Sequence, residues 1–167
     1  MGAGTGGTSA TIGRYIRYRP MEHANTKLCV ADPEGSIFFD TFCDPHAKPT
    51  HCKPSRLEGV GRPRSEPSFI PGLVDRMIKV EDNASIAMTY WLSENLGRKV
   101  GGSTGLNLFA TLNLAFEMQS QSKEGSLVTL ICDSGARYEG TIFDTKWLND
   151  QGLQIDRWLE GLTEPLG

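Results

Sequence analysis

The sequence has no long hydrophobic run, few cysteines and no excess of positive charge, and each shortage excludes a class of function. Its longest apolar stretches, such as Leu127 to Cys132, are far too short to cross a bilayer, and no hydrophobic segment with a cleavage site follows Met1. The expected compartment is therefore the cytoplasm. Seventeen Lys and Arg against 20 Asp and Glu leave a formal charge of −3, so no global positive field recruits nucleic acid or an anionic membrane. Four cysteines in 167 residues, Cys29, Cys43, Cys52 and Cys132, are too few for a disulfide framework. Two of them sit in apolar strand-like runs, where a buried thiol is expected. What is present is 38% hydrophobic and 22% charged, enough for one sizeable core and not for two full domains.

Helical and extended patterns alternate along the chain. Ile12, Tyr15, Ile16 and Arg19 recur at helical spacing over Thr8–Arg19, and Pro20 stops the pattern. Leu28 to Ala31 is a short apolar run closed by Asp32-Pro33, and Met77 to Val80 is a second, so both are expected as buried strands. Asp82 or Asn83 can cap a helix over Ala84–Leu96, with Ala87, Met88, Tyr90 and Trp91 on its apolar side and Gly97 as its stop. Gly101 to Gly105 opens another helix that carries Leu108, Phe109, Leu112, Ala115 and Phe116. Leu127 to Cys132 is the clearest strand pattern of all. Ser36 to Phe39 is a small apolar island before residues 41–71, which lack periodicity and are expected as a long irregular loop. Short helices are expected around Trp147, Leu148, Leu153, Trp158 and Leu159. Strands alternating with helices predict an α/β fold with a mostly parallel sheet and a ligand at the carboxyl ends of its strands.

The N-terminus carries the most specific chemistry. Gly2-Ala3-Gly4-Thr5-Gly6-Gly7-Thr8 is a glycine-rich loop of the phosphate-binding kind, placed directly before a helix. Such loops normally follow a strand, and none is expected before this one. Backbone N–H groups in such a turn can approach a phosphate closely, and the helix adds the positive end of its dipole. The same residues fit a dinucleotide fingerprint through Gly2, Gly4 and Gly7, with Asp32 as the ribose-binding acid, so an NAD-dependent oxidoreductase is an alternative. Gly7 is followed by Thr8-Ser9 rather than Lys-Ser or Lys-Thr, which excludes a Walker-type nucleoside triphosphatase.

Four blocks in order carry a resemblance. They are Gly4-Thr5-Gly6-Gly7-Thr8, Glu58-Gly59-Val60-Gly61, Gly102-Ser103-Thr104-Gly105 and Cys132-Asp133-Ser134-Gly135-Ala136-Arg137-Tyr138. Together they resemble the C-terminal half of pyridoxal-phosphate enzymes of the cysteine synthase and cystathionine β-synthase family, fold type II. The spelling Gly61-Arg62-Pro63-Arg64 with Glu66-Pro67-Ser68-Phe69 is most similar to the cysteine desulfhydrase branch. The resemblance implies a three-layer sandwich with a mostly parallel sheet, incomplete at its N-terminus, with residues 1–167 as a partial cofactor-binding domain. It implies pyridoxal 5'-phosphate as cofactor, with Gly4, Thr5, Gly6, Gly7 and Thr8 on its phosphate, Gly61 beside it and Ser134 facing the pyridine nitrogen. It further implies β-elimination or β-replacement on cysteine- or serine-type amino acids, and a homodimer.

The sequence departs from the family pattern in two respects. Ala136 stands where the family usually has Glu. The family's Schiff-base lysine, in a Ser-x-Lys-Asp-Arg context, matches none of Lys27, Lys48, Lys53, Lys79, Lys99, Lys123 and Lys146. No catalytic residue is therefore assigned in this chain. The expectation is a cofactor-holding half that needs an N-terminal half or an intact paralogue, the alternative being a non-catalytic remnant or regulatory half-subunit.

Other constellations have plainer readings. Cys43, His46, His51 and Cys52 are zinc-type ligands, but their spacing is compressed for a finger and a solvated insertion explains them. Lys53, Arg56, Arg62 and Arg64 form a basic cluster without the interleaved aromatics of a nucleic-acid surface, and a solvated loop explains them too. Trp91, Trp147, Trp158 and Tyr138 are expected to be structural.

Overall fold

A computed structural model describes residues 1–23, 25–44, 46 and 55–163. The chain divides into two compact units, Met1–Lys79 and Val80–Gly167.

In the first unit, α1 (Gly7–Tyr18) is followed by the single turn α2 (Pro20–His23), then β1 (Cys29–Pro33) and α3 (Phe38–Cys43), and β2 (Arg76–Val80) reaches its end. The N–H groups of Asp75 and Arg76 both donate to Leu28 O, so β1 and β2 start side by side and run parallel. On the other edge of β1, Gly2 pairs in parallel with Ala31, and the Ala31 N–H donates to Met1 O at 2.9 Å. A short extended segment thus leads into the glycine loop, contrary to expectation. Its three residues are too few to carry a strand pattern, and only the pairing reveals them. Val30, Ala31 and Asp32 are fully buried, as expected of a strand covered on both faces.

Phe38 and Phe39 of the apolar island open α3, which runs to Cys43 and so into the stretch 41–71 that was expected to be irregular. Phe38 is drawn inward by Phe69, with the rings stacked at 4.3 Å, and both join Ala3, Leu28, Val30, Ile37, Val74 and Met77 in one core. Arg17 ties the end of α1 to the chain before β2 through the carbonyls of Leu73 (2.9 Å) and Gly72 (3.2 Å).

The second unit is built on α4 (Asp82–Leu96) and α5 (Gly102–Ser120), with α6 (Thr145–Asp150) and α7 (Asp156–Thr163) following. Glu81, not Asp82 or Asn83, is the N-cap of α4, and Asp82 is a buried first-turn residue. Residues Ala84 to Thr89 are all buried, so α4 is enclosed nearly all round rather than on one stripe. Its polar positions are accommodated by Thr89 Oγ1 donating to Ser85 O (2.8 Å) and Ser93 Oγ donating to Thr89 O (2.7 Å). Gly105 lets α5 approach: a Cβ there would lie 2.1 Å from Ser85 O. Trp158 packs edge-on to Phe109, its centroid 5.6 Å away, in keeping with a structural role. No helix among the described residues is long and apolar enough to cross a membrane.

The clearest strand pattern is not a strand. Residues 123–132 belong to no regular element, and Leu127, Val128, Leu130 and Ile131 are exposed, Val128 by 90%. Cys132 is exposed and Cys29 half-buried, so neither thiol is enclosed as expected. The run is held by side chains instead: Asn107 Nδ2 donates to Leu130 O (3.2 Å), and Thr104 Oγ1 accepts from the Cys132 N–H (3.0 Å). An exposed apolar segment of this kind is a template for pairing with another chain. Val128→Lys combined with Ile131→Glu is therefore expected to reduce self-association of the chain, read by light scattering over a concentration series. Unchanged association would show that the segment is not the contact.

Candidate functional site

The first unit assembles the glycine loop from three directions. Gly6, the N-cap of α1, has φ 91° and ψ −5°, and no side chain caps the helix. A left-handed residue followed by a right-handed helical one turns successive N–H groups into a concavity suited to an anion. The first-turn N–H groups of Gly7, Thr8 and Ser9 have no acceptor inside the helix, and the first turn holds no acidic residue. Thr5 and Thr8 are exposed, so the rim of the concavity is open and hydroxyl-bearing. The helix is anchored from within by Ser9 Oγ, which donates to Gly6 O at 2.9 Å.

The loop is shaped by its neighbours. A Cβ on Gly6 would lie 2.5 Å from Phe69 Cα, and one on Gly4 would lie 2.7 Å from Gly59 O. The Gly61 N–H donates to Ala3 O (2.8 Å), which brings the Glu58–Gly61 block beside the glycine loop as the ordered motifs imply. Ser68 Oγ donates to Thr5 O at 2.6 Å. Ser68 and Phe69 stand in the sequence only as part of the block Glu66-Pro67-Ser68-Phe69, with no site role assigned to either. The available signal was a lone Phe among prolines and glycines, which is the pattern of an anchored loop.

Asp32 is not placed to bind a ribose. It is fully buried, its Oδ2 accepts from the Phe39 N–H (2.9 Å), and its Oδ1 has no partner. Burial pushes its pKa up to about 6, against the lowering effects of Ser36, the Phe39 N–H and Lys79; Asp40 adds to the rise. A fully enclosed carboxyl cannot present two oxygens to a sugar, so the dinucleotide alternative loses its acid.

The second unit joins the other two blocks. Gly101 N–H donates to Asp133 O and Gly135 N–H donates to Lys99 O, both at 3.0 Å, and Val100 pairs with Ser134. Tyr138 OH donates to Asp133 Oδ2 at 2.5 Å, which gives Tyr138 the structural role expected of it. The turn at Asp133–Tyr138 is thereby fastened to the loop that opens α5. Ser134 itself is exposed, and its Oγ accepts from the Ala136 N–H at 3.3 Å. That bond uses a lone pair and leaves the hydroxyl proton available to donate outward.

Among the described residues the remaining candidates form no site. His51 and Cys52 lie outside the described residues, Cys43 is an exposed free thiol, and no group of three metal-binding side chains occurs among the described residues. Lys53 also lies outside them, and Arg62 and Arg64 both face Glu66, at 3.9 and 3.1 Å.

Comparison with known proteins identifies the family. Residues 1–133 match the family model described as pyridoxal-phosphate dependent enzyme. The chain is 56% identical over 153 residues to the L-cysteine desulfhydrase Cds1 of Mycobacterium tuberculosis, covering 92% of this chain and 41% of that protein. It is 32% identical over 169 residues to cysteine synthase 2 of Neurospora crassa, covering 93% and 35%, and 29% identical over 163 residues to cysteine synthase 2 of Schizosaccharomyces pombe, covering 91% and 40%. The chain thus spans well under half the length of these curated relatives.

Proposed function

The chain belongs to the family of pyridoxal-phosphate-dependent enzymes, and on that premise we propose that it is the cofactor-holding part of a cysteine desulfhydrase or cysteine synthase-like enzyme. The observation that carries this reading is the uncapped, acid-free N-terminus of α1, opened by a left-handed Gly6 and shaped by Gly4 and Gly61. It fits a phosphate dianion without a lysine.

In this reading the N–H groups from Gly6 to Thr8 bind the phosphate, and the hydroxyls of Thr5 and Thr8 complete its shell. Pyridoxal phosphate, when bound, supplies an electron sink for bond cleavage at the substrate's α and β carbons. By the family resemblance Ser134 would hold the pyridine nitrogen through its hydroxyl proton, which stays available because the Ala136 N–H occupies only a lone pair of the oxygen. A neutral serine leaves the ring a weaker sink than a carboxylate would, which favours prompt loss of a β-substituent such as the thiol of cysteine. Residues 1–167 form part of a fold type II, three-layer domain, and the Schiff-base lysine comes from sequence corresponding to the remaining length of the relatives. The reading carries with it a cytoplasmic homodimer acting on a small amino acid.

The test is sulfide release from L-cysteine by this chain joined or mixed with a lysine-bearing N-terminal half from the desulfhydrase branch. Sulfide formation that depends on both parts and on added pyridoxal phosphate is expected. Release by neither part nor the mixture, with the cofactor bound, would assign the chain to a non-catalytic role.

A further inference from the structure

We propose that Ser68 is a positioning residue for the cofactor-phosphate loop, acting through the Thr5–Gly6 peptide. The inference rests on the phosphate-binding role proposed above for the loop. It starts from the 2.6 Å hydrogen bond that Ser68 Oγ donates to Thr5 O. In a trans peptide the carbonyl and the following N–H point in opposite directions within one rigid plane. Holding the Thr5 oxygen on the Ser68 side therefore holds the Gly6 N–H on the other side, in line with those of Gly7 and Thr8.

That control is needed here because glycine imposes none. Gly6 populates both signs of φ with similar ease, so the peptide before it can rotate unless something outside the loop fixes it. Its left-handed conformation is set against Phe69, whose Cα lies 2.5 Å from where a Gly6 Cβ would be. Phe69 is itself immobilised by stacking on Phe38 and by its N–H bond to Glu66 O (2.9 Å). Ser68 is thus the exposed, polar end of a buried anchor. Phe69 sets where the loop lies, and Ser68 sets which way its peptide faces. Truncating the hydroxyl removes the second function and leaves the first.

The experiment measures, on the full chain, the dissociation constants of pyridoxine 5'-phosphate and of pyridoxine. Neither is an aldehyde, so lysines do not capture them covalently, and the ratio of the two constants isolates the phosphate contribution. Ser68→Ala is expected to weaken pyridoxine 5'-phosphate roughly three- to tenfold, the range for one lost hydrogen bond. Pyridoxine binding is expected to stay unchanged, and the unfolding midpoint of the free chain to fall only by what one exposed hydrogen bond contributes. The pair Ser68→Thr and Ser68→Val, alike in shape and different in the hydroxyl, guards against a folding defect: Thr keeps the ratio and Val lowers it. If the unaltered chain prefers pyridoxine 5'-phosphate and Ser68→Ala and Ser68→Val leave that preference intact, the positioning role is wrong while the phosphate site stands. Equal affinity of the unaltered chain for both ligands overturns the phosphate site and this role with it.

Discussion

Gly6→Ala is expected to lose most of its preference for a phosphorylated ligand and to unfold at markedly lower urea concentration. Two independent costs meet at this position. The left-handed conformation, φ 91°, costs a residue with a Cβ about 1–3 kcal/mol. The new Cβ would also lie 2.5 Å from Phe69 Cα, a backbone atom that cannot rotate away, and overpacking of this kind costs a further 1–3 kcal/mol or so. The chain can relieve the clash only by moving the loop off Phe69, which rotates the Gly6 N–H out of line with those of the first turn of α1. Stability and anion binding should therefore fall together. Gly72→Ala is the control, because a Cβ there meets nothing within 4 Å and Gly72 has no positive φ. Its unfolding free energy should stay within about 0.5 kcal/mol of that of the unaltered chain, as for most surface changes. Equal behaviour of the two variants would show that the loop is not held against Phe69.

What the sequence made legible follows the range of the forces involved. The helix α1 was readable because Ile12, Tyr15 and Ile16 recur at helical spacing and Pro20 ends the pattern, and both are local facts. Gly97 in the left-handed cap of α4 was equally local. Leu127 to Cys132 misled because strand propensity is a statement about side chains, whereas a strand exists only where another backbone answers its N–H and carbonyl groups. Here side chains of α5, Thr104 and Asn107, answer at Cys132 and Leu130. The helix opened by Phe38 was not legible for a related reason: Phe38 is buried by Phe69, 31 positions away in a stretch without any period. The candidate site divides in the same way. The ordered glycine blocks were visible as motifs, and the structure brings Gly61 beside the N-terminal loop and Ser134 beside Val100. The residues that aim the loop, Ser68 and Phe69, were legible only as part of the block Glu66 to Phe69, and their aiming role becomes visible only through contact.

Asp32→Asn is expected to gain stability relative to the unaltered chain as pH rises, by about 3 kcal/mol between pH 4 and pH 8. The carboxyl is fully enclosed at the end of β1, with Oδ1 unpartnered, and burial raises its pKa from 3.8 to about 6. A folded-state value above the unfolded one means that the folded chain holds the proton more tightly. The associated stability is fully present below pH 3.8 and is lost as pH rises through 6. A separation of about two units corresponds to roughly 3 kcal/mol. Asparagine keeps an acceptor for the Phe39 N–H and cannot ionise, so the loss disappears in the variant. The difference between their urea unfolding free energies therefore reports Asp32 together with its coupling to Lys79 and Asp40. A difference that does not change with pH would show that the carboxyl is hydrated or paired in solution. The consequence reaches the site through a chain of bonds. Ser36, whose hydroxyl favours the ionised form of Asp32, accepts from the Arg62 N–H (3.1 Å), Ile37 N–H donates to Arg62 O (3.0 Å), and the neighbouring Gly61 N–H holds Ala3 O. An ionised Asp32 loads the end of this chain that lies farthest from the glycine loop. The same substitution should therefore leave ligand preference unchanged well below pH 6, and any gain should appear only as the unaltered carboxyl becomes charged on passing through that pH.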